Sequence, residues 1–189
     1  AKDDNGHGSH VAGTIAAINN TQGVIGVASQ AKLIAVKVLN AAGSGTWSGV
    51  ICGIDWVTAN AASYNIKVAN MSLGGGGSSD NNCGNSNSDA LHKAICKSRD
   101  AGVTYVVAAG NSGVNAANSV PAAYDDAVIT VSALGDSDGQ SGGLGPNTSY
   151  GADDSFPSWS NYGSVVDLAA PGVDIYSTWR SSSYSTISG

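Results

Sequence analysis

Apolar positions along the chain follow two alternating rhythms. Residues 7–18 place Val11, Ile15 and Ile18 at helical spacing, behind the capping candidates Asp4 and Asn5. Lys32–Leu39, KLIAVKVL, predicts a strand. Ser48–Ala61 repeats Val50, Ile51, Ile54 and Val57, which predicts a helix. Val68–Leu73 predicts a short strand that runs into the glycine tract Gly74–Gly77. Asp89–Ala101 predicts a helix stopped by Gly102, because glycine tolerates the left-handed residue that ends a helix. Val103–Ala109, VTYVVAA, is the continuous apolar run of a strand buried on both faces. Val128–Ala133 predicts another strand, and Val165–Ala169 and Ile175–Ser177 shorter ones.

Strands alternating with helices predict an α/β fold, a mostly parallel β-sheet flanked by helices. In such sheets the ligand crevice lies at the carboxyl ends of the strands. Three predicted strand ends are rich in glycine: Ala41–Gly45, Ser72–Gly77 and Ala108–Gly113. Glycine lets a ligand approach the backbone closely, so the pattern predicts a cleft walled by main chain. The Gly/Ser/Asp-rich stretch Gly135–Pro157 predicts a surface loop. No internal repeat or linker divides the 189 residues, which predicts one domain over 1–189.

Composition narrows the function. Apolar residues make up 42% of the chain, enough for a packed core. The net charge is −6 and the eight Lys and Arg residues are scattered, which argues against nucleic-acid binding. No apolar run reaches membrane-spanning length, and the opening AKDDNGHG is not a secretory leader. All fourteen acidic residues are aspartates. Cys83 and Cys96 flank a polar loop leading into a predicted helix; the spacing leaves open whether they are bridged. A bridge would remove about 3 kcal/mol of unfolded-state entropy and imply an oxidising compartment. Cys52 is expected on the apolar stripe of its helix, as a buried free thiol.

The stretch NGHGSHVAGT, Asn5–Thr14, holds two of the three histidines, His7 and His10. The zinc pattern H-E-x-x-H needs a spacing of four and a glutamate, and the chain has neither here. The remaining readings are two packed helix histidines, or one catalytic base with a structural neighbour. GDSDG, Gly135–Gly139, matches the text of the nucleophile elbow, but no helical pattern follows it and two aspartates flank Ser137. A solvent loop, or a weak cation site through Asp136 and Asp138, accounts for it better. In AAGNSG, Asn111 stands between glycines just past a buried strand, where a side-chain amide could face an oxyanion.

Taken in order, HGSHVAGT (His7–Thr14), AINNTQGVIGVA (Ala17–Ala28), AVKVLNAAGSG (Ala35–Gly45), NMSLGG (Asn70–Gly75), VVAAGNSG (Val106–Gly113) and WSNYGSVVDLAAPGVDIYST (Trp159–Thr178) resemble the subtilases, the subtilisin-like serine endopeptidases. The resemblance covers nearly the whole chain; the histidine motif departs from the family's by Ser9 in place of threonine. It implies a subtilisin-like fold, incomplete in this chain, and hydrolysis of peptide bonds by a secreted serine endopeptidase with an Asp-His-Ser triad. His7 would be the general base and acid and Asn111 an oxyanion donor. Gly43, Ser44 and Gly45 on one side, and Ser72, Leu73 and Gly74 on the other, would pair with an extended polypeptide substrate. Ala108, Ala109 and Gly110 would wall the S1 pocket, and Trp47 would line S4. The carbonyls of Ile18, Gln22 and Val24 with the Asn20 side chain would bind a structural Ca2+. Val120–Pro121 would be a cis peptide bond.

The resemblance also implies what the chain lacks. The family's aspartate lies in a D-[ST]-G motif about thirty residues before the histidine, and its serine in G-T-S-M. Ile187–Gly189, ISG, resembles the approach to the latter, with the serine expected two residues further on. The chain is thus expected to be a partial catalytic domain of a monomeric parent with an N-terminal propeptide, inactive alone. The alternatives are a catalytically dead peptide-binding relative and a calcium-dependent structural module on the same fold.

Overall fold

The computed structural model describes residues 2–189. Its helices are α1 (His7–Ala16), α2 (Trp47–Asn60) and α3 (Ala90–Asp100). Its strands are β1 (Val68–Met71), β2 (Gly75–Gly76), β3 (Thr104–Ala108), β4 (Ser119–Val120), β5 (Ile129–Leu134), β6 (Leu168–Pro171), β7 (Ile175–Trp179) and β8 (Ser183–Ile187). Two compact units result. One takes the chain up to Gly53 with Asp174–Ser188, and the other Ile54–Val173 with Gly189.

The second unit is built on a four-stranded parallel sheet in the order β1-β3-β5-β6. Tyr105 and Val107 of β3, and Thr130 and Ser132 of β5, are buried. Helix α3 starts where expected: the Asp89 carboxylate accepts from the Leu91 and His92 N–H groups at 3.0 and 3.2 Å. It buries Leu91, Ala94, Ile95 and Cys96, a 3- and 4-residue spacing that forms one face. Cys83 and Cys96 are bridged, with Cα atoms 5.8 Å apart, which closes the polar loop onto α3. Within that loop Asp80 accepts from the Asn82, Gly84 and Ser86 N–H groups at 2.7–2.9 Å. Burial by itself would raise this carboxyl, but those donors win and hold it at about 2. Its contribution to stability is therefore complete above the unfolded carboxylate range and lost as the pH falls through about 2.

In the first unit α1 packs on β7, and β7 and β8 form an antiparallel hairpin. The Ser177 and Thr178 hydroxyls donate to the His10 and Ser9 carbonyls at 2.9 and 2.8 Å. Helix α1 has no side-chain cap at Gly6, which sits at φ 117. Asp3 supplies the missing acceptor instead of the expected Asp4: it takes the Asn5, Gly6 and Ser9 N–H groups and the Ser9 hydroxyl at 2.7–3.0 Å. Asn5 accepts from the His7 N–H at 3.1 Å, and Asp4 pairs with Lys37 at 2.7 Å.

Four expectations are corrected. Helix α1 ends at Ala16, two residues short of Ile18. Lys32–Leu39 is not a strand; Leu33, Ile34 and Val36 are exposed, and no ladder partner lies beside the run among the described residues. A strand needs a neighbour's N–H and C=O groups, which a sequence pattern does not provide. The strand expected over Val165–Ala169 begins only at Leu168, because residues 163–166 form a turn closed by Val166 N–H on Gly163. Cys52 is exposed rather than buried. Helix α2 buries Val50, Ile54 and Val57, and Cys52 lies two residues, about 200°, from both Val50 and Ile54.

Candidate active site

His7 opens α1 and is half-buried. Among the described residues its ring makes no hydrogen bond, so both nitrogens are open to a reacting partner. Burial pushes its pKa below the ordinary 6.5, and the neighbouring His10 pushes the same way; Asp3 opposes them. The neutral imidazole, the form that can accept a proton, is therefore favoured. A titration of the 189-residue chain followed by the His7 Cε1–H resonance should give a midpoint below 6.5; a midpoint above that value would contradict the environment described. The sign for stability follows: the unfolded chain takes up this proton first, so His7 destabilises the fold as the pH drops below 6.5.

His10 is occupied differently. It is buried, its Nε2–H donates to the Ile175 carbonyl at 2.9 Å, and its ring meets Trp179 edge-on at 6.1 Å. His92 is not a third member of the pair. Its Nε2–H donates to Asp126 at 2.7 Å and its ring stacks on Tyr124 at 4.0 Å. Cys83, Cys96, His92 and Asp126 place ligand-type atoms close together, but the two sulfurs are bonded to each other.

Asn111 follows β3 in the second unit. The chain leaves the sheet at Ala108, passes buried Ala109 and turns through Gly110 at φ 108. A Cβ at Gly110 would lie 2.5 Å from the Asn161 amide nitrogen, so only glycine fits. The Asn111 side chain is exposed and makes no hydrogen bond among the described residues. A Cβ built on Gly189 would stand 3.3 Å from its Nδ2, which puts Gly189 beside this amide.

Ser72 and Leu73 are half-buried and Gly74 is exposed, directly after β1. Their main-chain groups enter no backbone hydrogen bond among the described residues, as an extended guest would require. Next to them β2 pairs with β4, and Val120–Pro121 is cis as the resemblance implied. Gly43, Ser44 and Gly45 are exposed in a loop organised by Asn40, whose side chain accepts from the Ala42 and Ser44 N–H groups at 2.9 and 3.2 Å. The Gly43 N–H and Ser44 carbonyl are used within that loop, so Gly45 keeps the most freedom. Trp47 begins α2 and is 38% exposed.

Ser137 does not stand on a nucleophile elbow: bends and no helix follow it. Its one O–H is shared between two acceptors, the Pro146 carbonyl at 2.7 Å and Asp153 at 2.9 Å. Asp136, Asp138 and Asp153 cluster there, but Asp136 and Asp153 are already taken up by backbone N–H donors. Ile18, Asn20, Gln22 and Val24 lie on a loop with Thr21 and Gly23 at φ 65 and 62. Asn20 Oδ1 accepts from the Gln22 N–H at 3.2 Å, while the Ile18, Gln22 and Val24 carbonyls take no backbone hydrogen bond among the described residues. Carbonyl and amide oxygens are the type of ligand a hard cation takes.

The residue that sequence reasoning missed is Asn161, which organises the Ala109–Val114 turn. It lies inside a quoted segment, yet nothing in WSNYG marks it as buried.

The parallel sheet flanked by helices is an α/β architecture. The chain belongs to the subtilase family, Peptidase S8, which it matches over residues 1–189. Subtilases are serine endopeptidases. The chain is 40% identical over 190 residues to subtilisin DY of Bacillus licheniformis, covering 99% of this chain and 58% of that protein. It is 43% identical over 189 residues to the alkaline serine exoprotease A of Vibrio alginolyticus, covering 100% and 29%. Among solved structures, a cold adapted subtilisin-like serine proteinase superposes with a TM-score of 0.76 at 43% identity, over 100% of this chain and 56% of that one. The chain thus spans about half or less of these relatives' lengths.

Proposed function

We propose that residues 1–189 are part of the catalytic domain of a secreted, monomeric serine endopeptidase made with an N-terminal propeptide, and that peptide hydrolysis requires segments of the longer protein supplying the triad Asp and Ser. His7 takes the proton of the nucleophilic hydroxyl and returns it to the leaving amine. Asn111 Nδ2 donates to the oxyanion of the tetrahedral intermediate. Gly43–Gly45 and Ser72–Gly74 hold the polypeptide substrate through its main chain, Ala108–Gly110 wall S1, and Trp47 contributes to S4. Main-chain recognition of this kind tolerates many side chains, so broad specificity is expected. A structural Ca2+ would be held by the Ile18, Gln22 and Val24 carbonyls and the Asn20 side chain, neutralising the carbonyl dipoles of that loop.

The observation that carries this reading is the unbonded Asn111 amide beside Gly189, since the resemblance puts the nucleophile two residues beyond that glycine. Diisopropyl fluorophosphate is the test. The full-length protein should be labelled on one serine outside these 189 residues and lose its hydrolysis of casein. The 189-residue chain alone should take up no label. Labelling at Ser137, or none in the full-length protein, would refute the proposal.

A further inference from the structure

Asn161 is 1% exposed and every polar capacity of its side chain is used. Its Oδ1 accepts from the Ser112 N–H at 3.0 Å and the Val114 N–H at 3.1 Å. Its Nδ2 donates to the Ala109 carbonyl at 2.8 Å and to the Ser119 hydroxyl at 3.2 Å. Its own N–H donates to the Gly110 carbonyl at 2.9 Å. These partners bracket Asn111: Ala109 and Gly110 precede it, Ser112 and Val114 follow it. Asn111 itself has no side-chain partner among the described residues, so its direction depends on the backbone that carries it.

We infer that Asn161 is a positioning residue for the oxyanion donor: it fixes the main chain on both sides of Asn111 and so aims the Nδ2–H. The inference rests on the oxyanion reading of Asn111 proposed above. An amide suits the task because one side chain must accept twice and donate twice. Aspartate would keep the acceptor and lose both donations; leucine would lose all four bonds and leave buried N–H and C=O groups unpaired. The Ser119 contact extends the same knot to β4, next to the cis Val120–Pro121 bond. A donor displaced by a fraction of an ångström binds the ground state much as before but stabilises the transition state less. The expected signature is therefore a fall in kcat with little change in KM.

The experiment is a double-mutant cycle in the full-length protein, with kcat and KM measured on a chromogenic peptide and concentrations set by active-site titration. Asn111→Ala should cost about 10²- to 10³-fold in kcat, the range known for such donors in subtilisins. Asn161→Ala should cost about 10- to 100-fold in kcat with KM within about threefold. In the Asn111→Ala background the Asn161→Ala change should cost less than about threefold more, because the donor it aims is already gone. Where Asn161→Ala yields no folded enzyme, Asn161→Ser is put through the same cycle. An unchanged kcat, or an equal loss in both backgrounds, would make Asn161 merely structural and overturn the inference. If Asn111→Ala alone leaves kcat unchanged, the oxyanion assignment itself fails instead.

Discussion

Replacing His7 by alanine in the full-length protein should lower kcat/KM by about 10⁶, the loss known for removing the triad histidine of subtilisin-type enzymes. The size follows from the lack of a substitute. His10 is one turn away, but its Nε2–H is committed to the Ile175 carbonyl and its ring is buried against Trp179. Asp3 is near, but its carboxylate already accepts from three backbone N–H groups and the Ser9 hydroxyl. Those donors hold it far below the ordinary carboxylate range against the effect of burial, so it is a very weak base. The half-exposed His7 ring contributes little packing, so the melting temperature should change little. Peptide-anilide kinetics with a thermal melt separate the outcomes. A loss under about tenfold, or a loss explained by unfolding, would remove His7 from the chemistry.

The sequence showed most of the scaffold, and the reasons differ by element. Helix α3 and strands β1, β3 and β5 were legible because cap, period and apolar run mark them: Asp89 caps, Gly102 stops, and Val103–Ala109 yields β3. Rather than burying both faces, that run buries one (Val103, Tyr105, Val107, Ala109) and leaves Thr104 exposed and Val106 and Ala108 half-buried. Strand β8 was not legible. Ser183–Ile187, SYSTI, has no strong apolar alternation, and its hairpin turn places Ser181 and Ser182 at φ 62 and 54 without any glycine to announce it. Lys32–Leu39 shows the reverse case, a strand pattern without a ladder. The same asymmetry holds at the site. His7 and Asn111 stand in motifs, whereas Asn161 matters through five bonds to residues as many as 52 positions away in the chain. Long-range hydrogen bonding leaves no local period, so a buried asparagine in a polar run reads like any surface asparagine.

The same contrast applies to His92, the third histidine, which stands in no motif and is the centre of a buried polar cluster. His92→Ala in the full-length protein should cost about 3–5 kcal/mol of stability in urea unfolding near neutral pH. Two effects add. The alanine leaves a cavity where a fully buried ring had stacked on Tyr124 at an interplanar angle of 7°. It also strips Asp126 of the Nε2–H donor at 2.7 Å and empties the place 3.3 Å from Asp80 that Nδ1 had filled. The neighbours cannot swing in to compensate. The Tyr124 hydroxyl is held on Asp89 at 2.6 Å, and Asp89 is itself the cap of α3. Burial, reinforced by Asp89, pushes the Tyr124 phenol far above its ordinary range, so it stays a donor and cannot accept a second role as a charge. The Cys83–Cys96 bridge keeps the loop in place while its polar filling is removed. His92→Gln, which can still donate to Asp126, should recover a large part of the loss. If alanine costs less than about 1 kcal/mol, or glutamine recovers nothing, the cluster is held by the bridge and the stacking apolar surface rather than by the imidazole's hydrogen bond.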